Sequence, residues 1–176
     1  MGNWKNCAIK EVGNSAGERF LRALCAPMEW DPKFDYPGLA AAMEGKMVQA
    51  GGVGLAAPQV GILQRFFVIA LAACMEHSSG ATLDGRDLYP IAESTPGAIF
   101  CMNPKIVSLS NKTQTGSEGC LSIPRRHEVV TRPAQVELTF LGVDGAGHVL
   151  RANGLLARCC CHEFDHLNGR LFIDYL

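Results

Sequence analysis

His162-Glu163-Phe164-Asp165-His166 is an H-E-x-x-H stretch close to the carboxy end of the chain. Residues four apart lie on one face of a helix, so both imidazoles can reach one metal ion. The glutamate beside the first histidine can then handle the proton of a metal-bound water. A catalytic site of this kind takes three protein ligands and keeps one position open. The downstream patterns that supply a third ligand do not fit. Phe172 stands six residues past His166, where one pattern places a histidine. Asp174 is the only acid beyond the motif, and it is too close to His166 for a ligand drawn from a following helix. The third ligand is therefore expected upstream.

Moving outward, the best upstream candidate is Cys120 in Glu118-Gly119-Cys120-Leu121-Ser122. The glycine lets backbone approach closely, and a thiolate suits zinc or ferrous iron. The plain alternative is that Cys120 is a small buried hydrophobe. Further upstream lies Gly52-Val53-Gly54-Leu55-Ala56-Ala57-Pro58-Gln59. It is not a phosphate loop, and the dinucleotide G-x-G-x-x-G spacing fails at Ala57. Two readings stand: a helix end followed by a loop, or a tight wall of small residues with Gln59 as one oriented amide donor.

Taken in order, G-V-G-L-A-A-P-Q, E-G-C-L-S and H-E-F-D-H resemble the three signature motifs of peptide deformylases. The similarity runs from about Leu39 to Leu176 and is looser over residues 74–97. The resemblance implies a metal-dependent hydrolase that removes the N-formyl group from the initiator methionine of new polypeptides and releases formate. It implies Cys120, His162 and His166 as ligands of one divalent ion, with Fe2+ as the native metal and Zn2+, Ni2+ or Co2+ able to substitute. It further implies Glu163 as general acid and base, with Gln59 and the backbone N–H of Leu121 as oxyanion donors. Val53, Gly54 and Gly119 resemble the family's backbone edges, which pair with an extended peptide as an added strand. The methionine side chain is expected in a pocket near Leu155 and Cys159. The implied partners are nascent N-formylmethionyl peptides. The chain departs from the family in three places. Cys161 stands where glutamine is common, and His127 where many bacterial members carry arginine. The sequence stops at Asp174-Tyr175-Leu176, where many members continue into a long helix.

A chain of 176 residues, 48% hydrophobic and 19% charged, suits one domain over 1–176. A net charge of −1 gives no basic stripe for nucleic acid, so a ribosome contact would need a local patch. No apolar run reaches membrane-spanning length. The eight cysteines do not read as a disulfide framework, because Cys159-Cys160-Cys161 are adjacent in a helical segment. Reduced thiols point to a cytoplasm or an organelle matrix. Met1-Gly2 is followed by Asn6 rather than serine or threonine, so the myristoylation pattern is incomplete.

Residues 1–35 read as a lead-in segment, extended over 14–33 with room for one short turn. Pro37 opens a helix marked by Leu39, Met43 and Met47 and stopped at Gly51-Gly52. Arg65 to Leu71 is a buried strand. Residues 74–97, with Gly80, Gly85, Pro90, Pro96 and Gly97, read as a long surface loop in which His77 is exposed. Ile99–Met102 and Ile106–Leu109 are short strands broken by Asn103-Pro104. Gln135–Leu141 and His148–Leu150 form a hairpin about Asp144–Gly147, which makes His148 a poor ligand. Asn153 caps a helix that runs to about Leu167 and closes at Asn168-Gly169. Leu155, Cys159, His162 and His166 share one face of it, and Leu156, Cys160, Glu163 and Leu167 form the adjacent stripe. Asp165 is a candidate partner for a ligand or for Arg132. The expected architecture is α+β, mostly antiparallel sheets around a central metal-ligand-bearing helix. Two rival functions follow from the same residues. One is a metallopeptidase; the other is a structural Cys/His site completed by Cys159 or Cys161.

Overall fold

The computed structural model describes residues 8–75, 77–94 and 97–176. Met1, Gly2, Asn6 and Pro96 lie outside them. In chain order the elements are α1 (Ser15–Leu21), α2 (Tyr36–Gln49), β1 (Gly54–Ala56), β2 (Phe66–Ala70), α3 (Leu71–Met75), β3 (Thr82–Leu83), β4 (Arg86–Asp87) and α4 (Leu88–Ser94). There follow β5 (Ala98–Leu109), β6 (Thr113–Cys120), β7 (Ile123–Pro133), β8 (Gln135–Leu141), β9 (Gly147–Asn153) and α5 (Gly154–Leu167). Short 3-10 turns occupy Ala57–Val60 and Phe172–Tyr175.

Seven strands form one antiparallel sheet in the order β1-β2-β5-β8-β9-β3-β4, and β6 and β7 form a separate hairpin. Side chains alternate across a strand, and β2 shows what that does here. Phe66 and Val68 pack with Leu39, Met43 and Met47 of α2. Phe67 and Ile69 face the other way, against Leu156, Ala157 and Cys160 of α5. The sheet is thus covered on both faces, and α5 is buried along most of its length. Each fully buried large apolar side chain of this kind stabilises the fold by roughly 1.5–3 kcal/mol. The α+β expectation holds, with the H-E-x-x-H helix lying between the sheet and the β6–β7 hairpin. Among the described residues, no helix is long and apolar enough to cross a membrane. The seven described cysteines are all free.

The α2, β2, β8, β9 and α5 expectations match within a few residues. Four others are corrected. Residues 14–33 are not simply extended: α1 forms because the Asn14 side chain accepts from the N–H groups of Ala16 and Gly17. The two strands over 99–109 are one strand, β5, with register shifts between Met102 and Lys105 and between Ile106 and Ser108. Asn103 absorbs the first shift at φ 50, and its side-chain amide closes on both backbone groups of Met28, at 2.8 and 2.7 Å. Residues 74–97 are not one loop, because α3, the β3–β4 hairpin and α4 account for most of them, with Cys74, Ala81 and Leu88 fully buried.

The fourth correction concerns the start of α5. Asn153 stands at its N-cap but makes no capping bond there; it donates to the Ser79 carbonyl at 2.8 Å instead. The cap comes from Ser78, whose hydroxyl accepts from the Leu156 N–H at 3.0 Å. The His77 carbonyl accepts from the Leu155 N–H. Gly154 makes this junction possible: at φ 54 it turns the chain out of β9, and a Cβ there would sit 1.8 Å from the His77 oxygen.

Candidate active site

Helix α5 presents His162, Glu163 and His166 toward the place where β1 and the 3-10 turn meet the end of β6. The Cys120 sulfur and the two imidazoles offer ligand atoms that all lie within 4.8 Å of one another. Cys120 Sγ is 3.3 Å from His166 Nε2. Among the described residues neither Cys159 nor Cys161 joins this group, so the rival reading of a closed four-ligand site loses its fourth ligand. The Cys159 sulfur lies 3.8 Å from the Val53 carbonyl instead.

Glycines set how closely these elements approach. A Cβ on Gly54 would fall 2.3 Å from Glu163 Oε1 and 2.8 Å from Cys159 Sγ. A Cβ on Gly52 would meet the Leu121 side chain at 2.7 Å. All three distances are below what packed atoms tolerate, so the wall reading of Gly52–Gln59 is the one the geometry supports. At Gly119 the space is taken by the His127 ring, 2.7 Å from where a Cβ would stand. The cavity between these edges measures about 430 Å³. Val53, Gly54, Gln59, Gly119, Cys120, Leu121, Leu155, Cys159, His162 and Glu163 all line it. His166 does not line it; it sits behind Cys120, 1% exposed.

Gln59 is held in one orientation. Its Oε1 accepts from the Ala56 N–H at 2.8 Å, which leaves Nε2 as the free end. That nitrogen donates to Ser122 Oγ at 3.2 Å and to Cys120 Sγ at 3.5 Å. The amide N–H therefore faces the sulfur.

Behind the ligand cluster lies a buried ion network centred on Glu118. Arg132 donates to it through Nε and Nη2, both at 2.9 Å, and reaches Asp165 with Nη1 at 2.5 Å. Arg158 donates to Glu118 Oε1 at 2.8 Å and to the Val130 carbonyl at 2.9 Å. Glu118 Oε2 faces His162 Nδ1 at 3.0 Å, which leaves Nε2 to the ligand cluster. Burial alone would push the Glu118 carboxyl up; the Arg132 and His162 contacts outweigh it and hold it down to about 2. Asp165 thus partners Arg132, and Tyr175 also donates to it.

The other titratable groups follow from burial. Burial pushes Glu163 up to about 7; the His162 charge opposes this, and Glu118 and Asp165 add to it. Burial also holds His166 well below the ordinary histidine range. His162 goes the other way: burial lowers it, but its contacts with Cys120 and Glu118 carry it to about 10. Glu163 Oε2 and His166 Nδ1 are buried with no hydrogen-bond partner among the described residues.

The sequence reading missed Glu118, which faces His162 Nδ1, and Arg158, which donates to Glu118. Two signals pointed to them. A ligating histidine nearly always gives its second ring N–H to a carboxylate or carbonyl, and Glu118 is the acid beside Cys120. Arg158 is a lone cation in the apolar run Leu155–Cys161, and a buried cation needs an acid.

The Polypeptide deformylase family model matches residues 11–176, so the likeness begins well before Leu39. A peptide deformylase of Rickettsia typhi is 40% identical over 130 residues, 74% of this chain and 67% of the relative. A probable peptide deformylase from Synechococcus phage S-SSM7 superposes with a TM-score of 0.78 at 34% identity, covering 97% of this chain and all of that one. A class I type b peptide deformylase from Acinetobacter baumannii, solved with Met-Ala-Ser bound, superposes with a TM-score of 0.75 at 29% identity, covering 97% of this chain and 98% of that one.

Proposed function

This chain belongs to the polypeptide deformylase family, metal-dependent hydrolases that remove the N-formyl group from the amino-terminal methionine of new polypeptides, and we propose that its Cys120, His162 and His166 hold the metal while Glu163 moves the protons. The observation that carries this reading is the pairing of a three-donor cluster within 4.8 Å with an unpartnered buried carboxylate on the same helix. One thiol and two imidazoles are the donor set that catalytic zinc and iron sites use, and three ligands leave a position open. When bound, a divalent ion lowers the pKa of a water and polarises the formyl carbonyl.

The chain's own residues do the rest. Glu163, with a carboxyl near 7, accepts the proton of the attacking water and returns it to the leaving amine. The Gln59 amide and the Leu121 N–H stabilise the oxyanion, each such donor contributing about 3 kcal/mol. The Gly52–Ala57 wall leaves room for hydrogen on the acyl carbon and crowds a methyl. Val53, Gly54 and Gly119 pair with an extended peptide, and the methionine side chain enters between Leu155 and Cys159. The Met-Ala-Ser complex of the Acinetobacter baumannii relative supports a peptide in this cleft, since that tripeptide begins with the methionine that deformylation would leave. Fe2+ is the native ion in this reading, on family resemblance, with Zn2+, Ni2+ and Co2+ as substitutes. The substrate is a nascent chain at the ribosome, in a cytoplasm or organelle matrix that keeps thiols such as Cys101 and Cys160 reduced.

Formate release from formyl-Met-Ala-Ser, measured anaerobically on the metal-loaded protein beside acetyl-Met-Ala-Ser, tests the reaction. Release from the formyl peptide alone is expected; equal hydrolysis of both, or cleavage of an internal peptide bond, contradicts it. Metal analysis tests the ligands. Cys120→Ala should lose most of about one ion per chain, whereas Cys161→Ala should keep it.

A further inference from the structure

The β6–β7 hairpin breaks its ladder beside the cavity. Gly119 pairs with His127, yet the next residue, Cys120, pairs with Ile123, so the residues between Ile123 and His127 have no partner on β6. Pro124, Arg125 and Arg126 form an exposed excursion, with Arg125 in the left-handed region at φ 63. Arg125 and Arg126 both line the cavity mouth.

The charges along the cavity are segregated. Among the described residues that line it, the carboxylates are Glu118 and Glu163, both buried. Glu118 is already matched by Arg132 and Arg158. The outer rim therefore carries two guanidinium groups, and among the described lining residues no acid stands beside them. Arg126 is partly answered by Glu128, Nε to Oε1 at 2.9 Å, which leaves its two terminal nitrogens. Arg125 makes no ion pair among the described residues. Arg125 and Arg126 line the same cavity as Cys120 and Glu163, so in the deformylase reading a peptide whose amino end lies at those two residues, advancing about 3.3–3.6 Å per residue, can reach this rim within a few residues.

We propose that Arg125 and Arg126 make this deformylase select peptides that carry aspartate or glutamate a few residues after the methionine. The proposal rests on the deformylase reading for the direction of the chain, and it names the substrate class within it. Guanidinium groups pair carboxylates in a planar two-bond geometry, and rim charges act mainly on encounter and specificity. Exposed pairs are weak individually, so the two together should give roughly a three- to tenfold preference.

The test compares two peptides on the metal-loaded protein: Met-Ala-Asp-Asp-amide and Met-Ala-Lys-Lys-amide, each as the free amine for calorimetric binding and as the formyl peptide for kinetics. The amide end removes the terminal carboxylate. Tighter binding of the aspartate peptide is expected at about 50 mM salt, shrinking toward equality near 1 M, where screening acts over roughly 3 Å. The kinetic contrast should appear in KM rather than kcat. Arg125→Glu with Arg126→Glu should invert the preference; both positions are exposed, so folding is not at issue. Equal binding of the two peptides by the native chain, or a contrast that the double reversal leaves in place, overturns the proposal. A binding preference without formate release would leave the rim assignment standing and defeat the deformylase reading instead.

Discussion

Helix α5 meets two different halves of the molecule, and they treat its polar atoms in opposite ways. On the β6–β7 side, Glu118, Arg132, Arg158 and Asp165 satisfy one another and orient His162. Elsewhere on the same helix, Glu163 Oε2 and His166 Nδ1 are also buried and have no hydrogen-bond partner among the described residues. A fully satisfied buried network fixes geometry. Buried groups left without partners are rare and call for an explanation, and here they flank a cavity and a three-donor cluster. Both sets are buried; the difference lies in whether the chain itself completes the bonding.

The comparison breaks most visibly at Glu118. Glu118→Ala strips two buried guanidinium groups and a histidine of their common acceptor. Removing one partner from such a network costs about 3–5 kcal/mol, which urea unfolding would read. Metal affinity should fall about ten- to a hundredfold, because His162 loses the group that orients it. A loss below about 1 kcal/mol would show that the network is not what holds the hairpin to α5.

Glu163→Gln probes the unsatisfied side and should give the reverse pattern. Turnover should drop at least about a hundredfold with metal content unchanged. Stability should hold or rise, because a buried carboxyl with no partner costs free energy to ionise. A variant with near-normal turnover would mean that another group moves the proton.

The smallest expected effect sharpens the contrast between buried and exposed pairs. Arg22 donates to Asp174 at 2.5 Å, with both side chains more than a third open to solvent. The Arg22 hydrogen bond holds the Asp174 carboxyl below its ordinary range, against slight burial and with help from the Leu171 N–H. A depressed carboxyl contributes stability above its unfolded pKa and loses it as pH falls through the folded one. Asp174→Asn should therefore cost only a few tenths of a kcal/mol near neutral pH. The difference from the native chain should vanish in acid, below the depressed value. A difference that persists there would assign the effect to packing.

What could be read from the sequence follows from where the apolar pattern is strong. α2 and α5 announce themselves through Leu39-Met43-Met47 and Leu155-Cys159, because each buries a face in an apolar core. The β6–β7 hairpin does not. Its strand Thr113–Cys120 has no apolar alternation, since what it turns inward at Glu118 is an ion network. α3, β3, β4 and α4 are each too short to show a period, and glycines and prolines between them mimic a loop. β5 read as two strands because Asn103-Pro104 is a turn signal; the link between Asn103 and Met28, distant in sequence, overrides it. The ligand cluster was legible from three short motifs. The residues that orient it were legible only in part: Glu118 stands beside Cys120 and Arg158 is a lone cation in an apolar run, but neither Arg132 nor Arg158 carries a local spacing toward Glu118.

The cap that Ser78 places on α5 joins residues 78 positions apart in sequence. The first-turn amides of the helix therefore owe their protection to a distant segment. Deuterium should enter Leu155 and Leu156 whenever the stretch around Ser78 detaches, even while His162 and His166 stay shielded further along. A substitution such as Ser78→Ala, remote from every reacting atom, would then loosen the cavity floor at Leu155 and Cys159 from its amino end. The helix that bears the ligands has its own internal register but borrows its starting point.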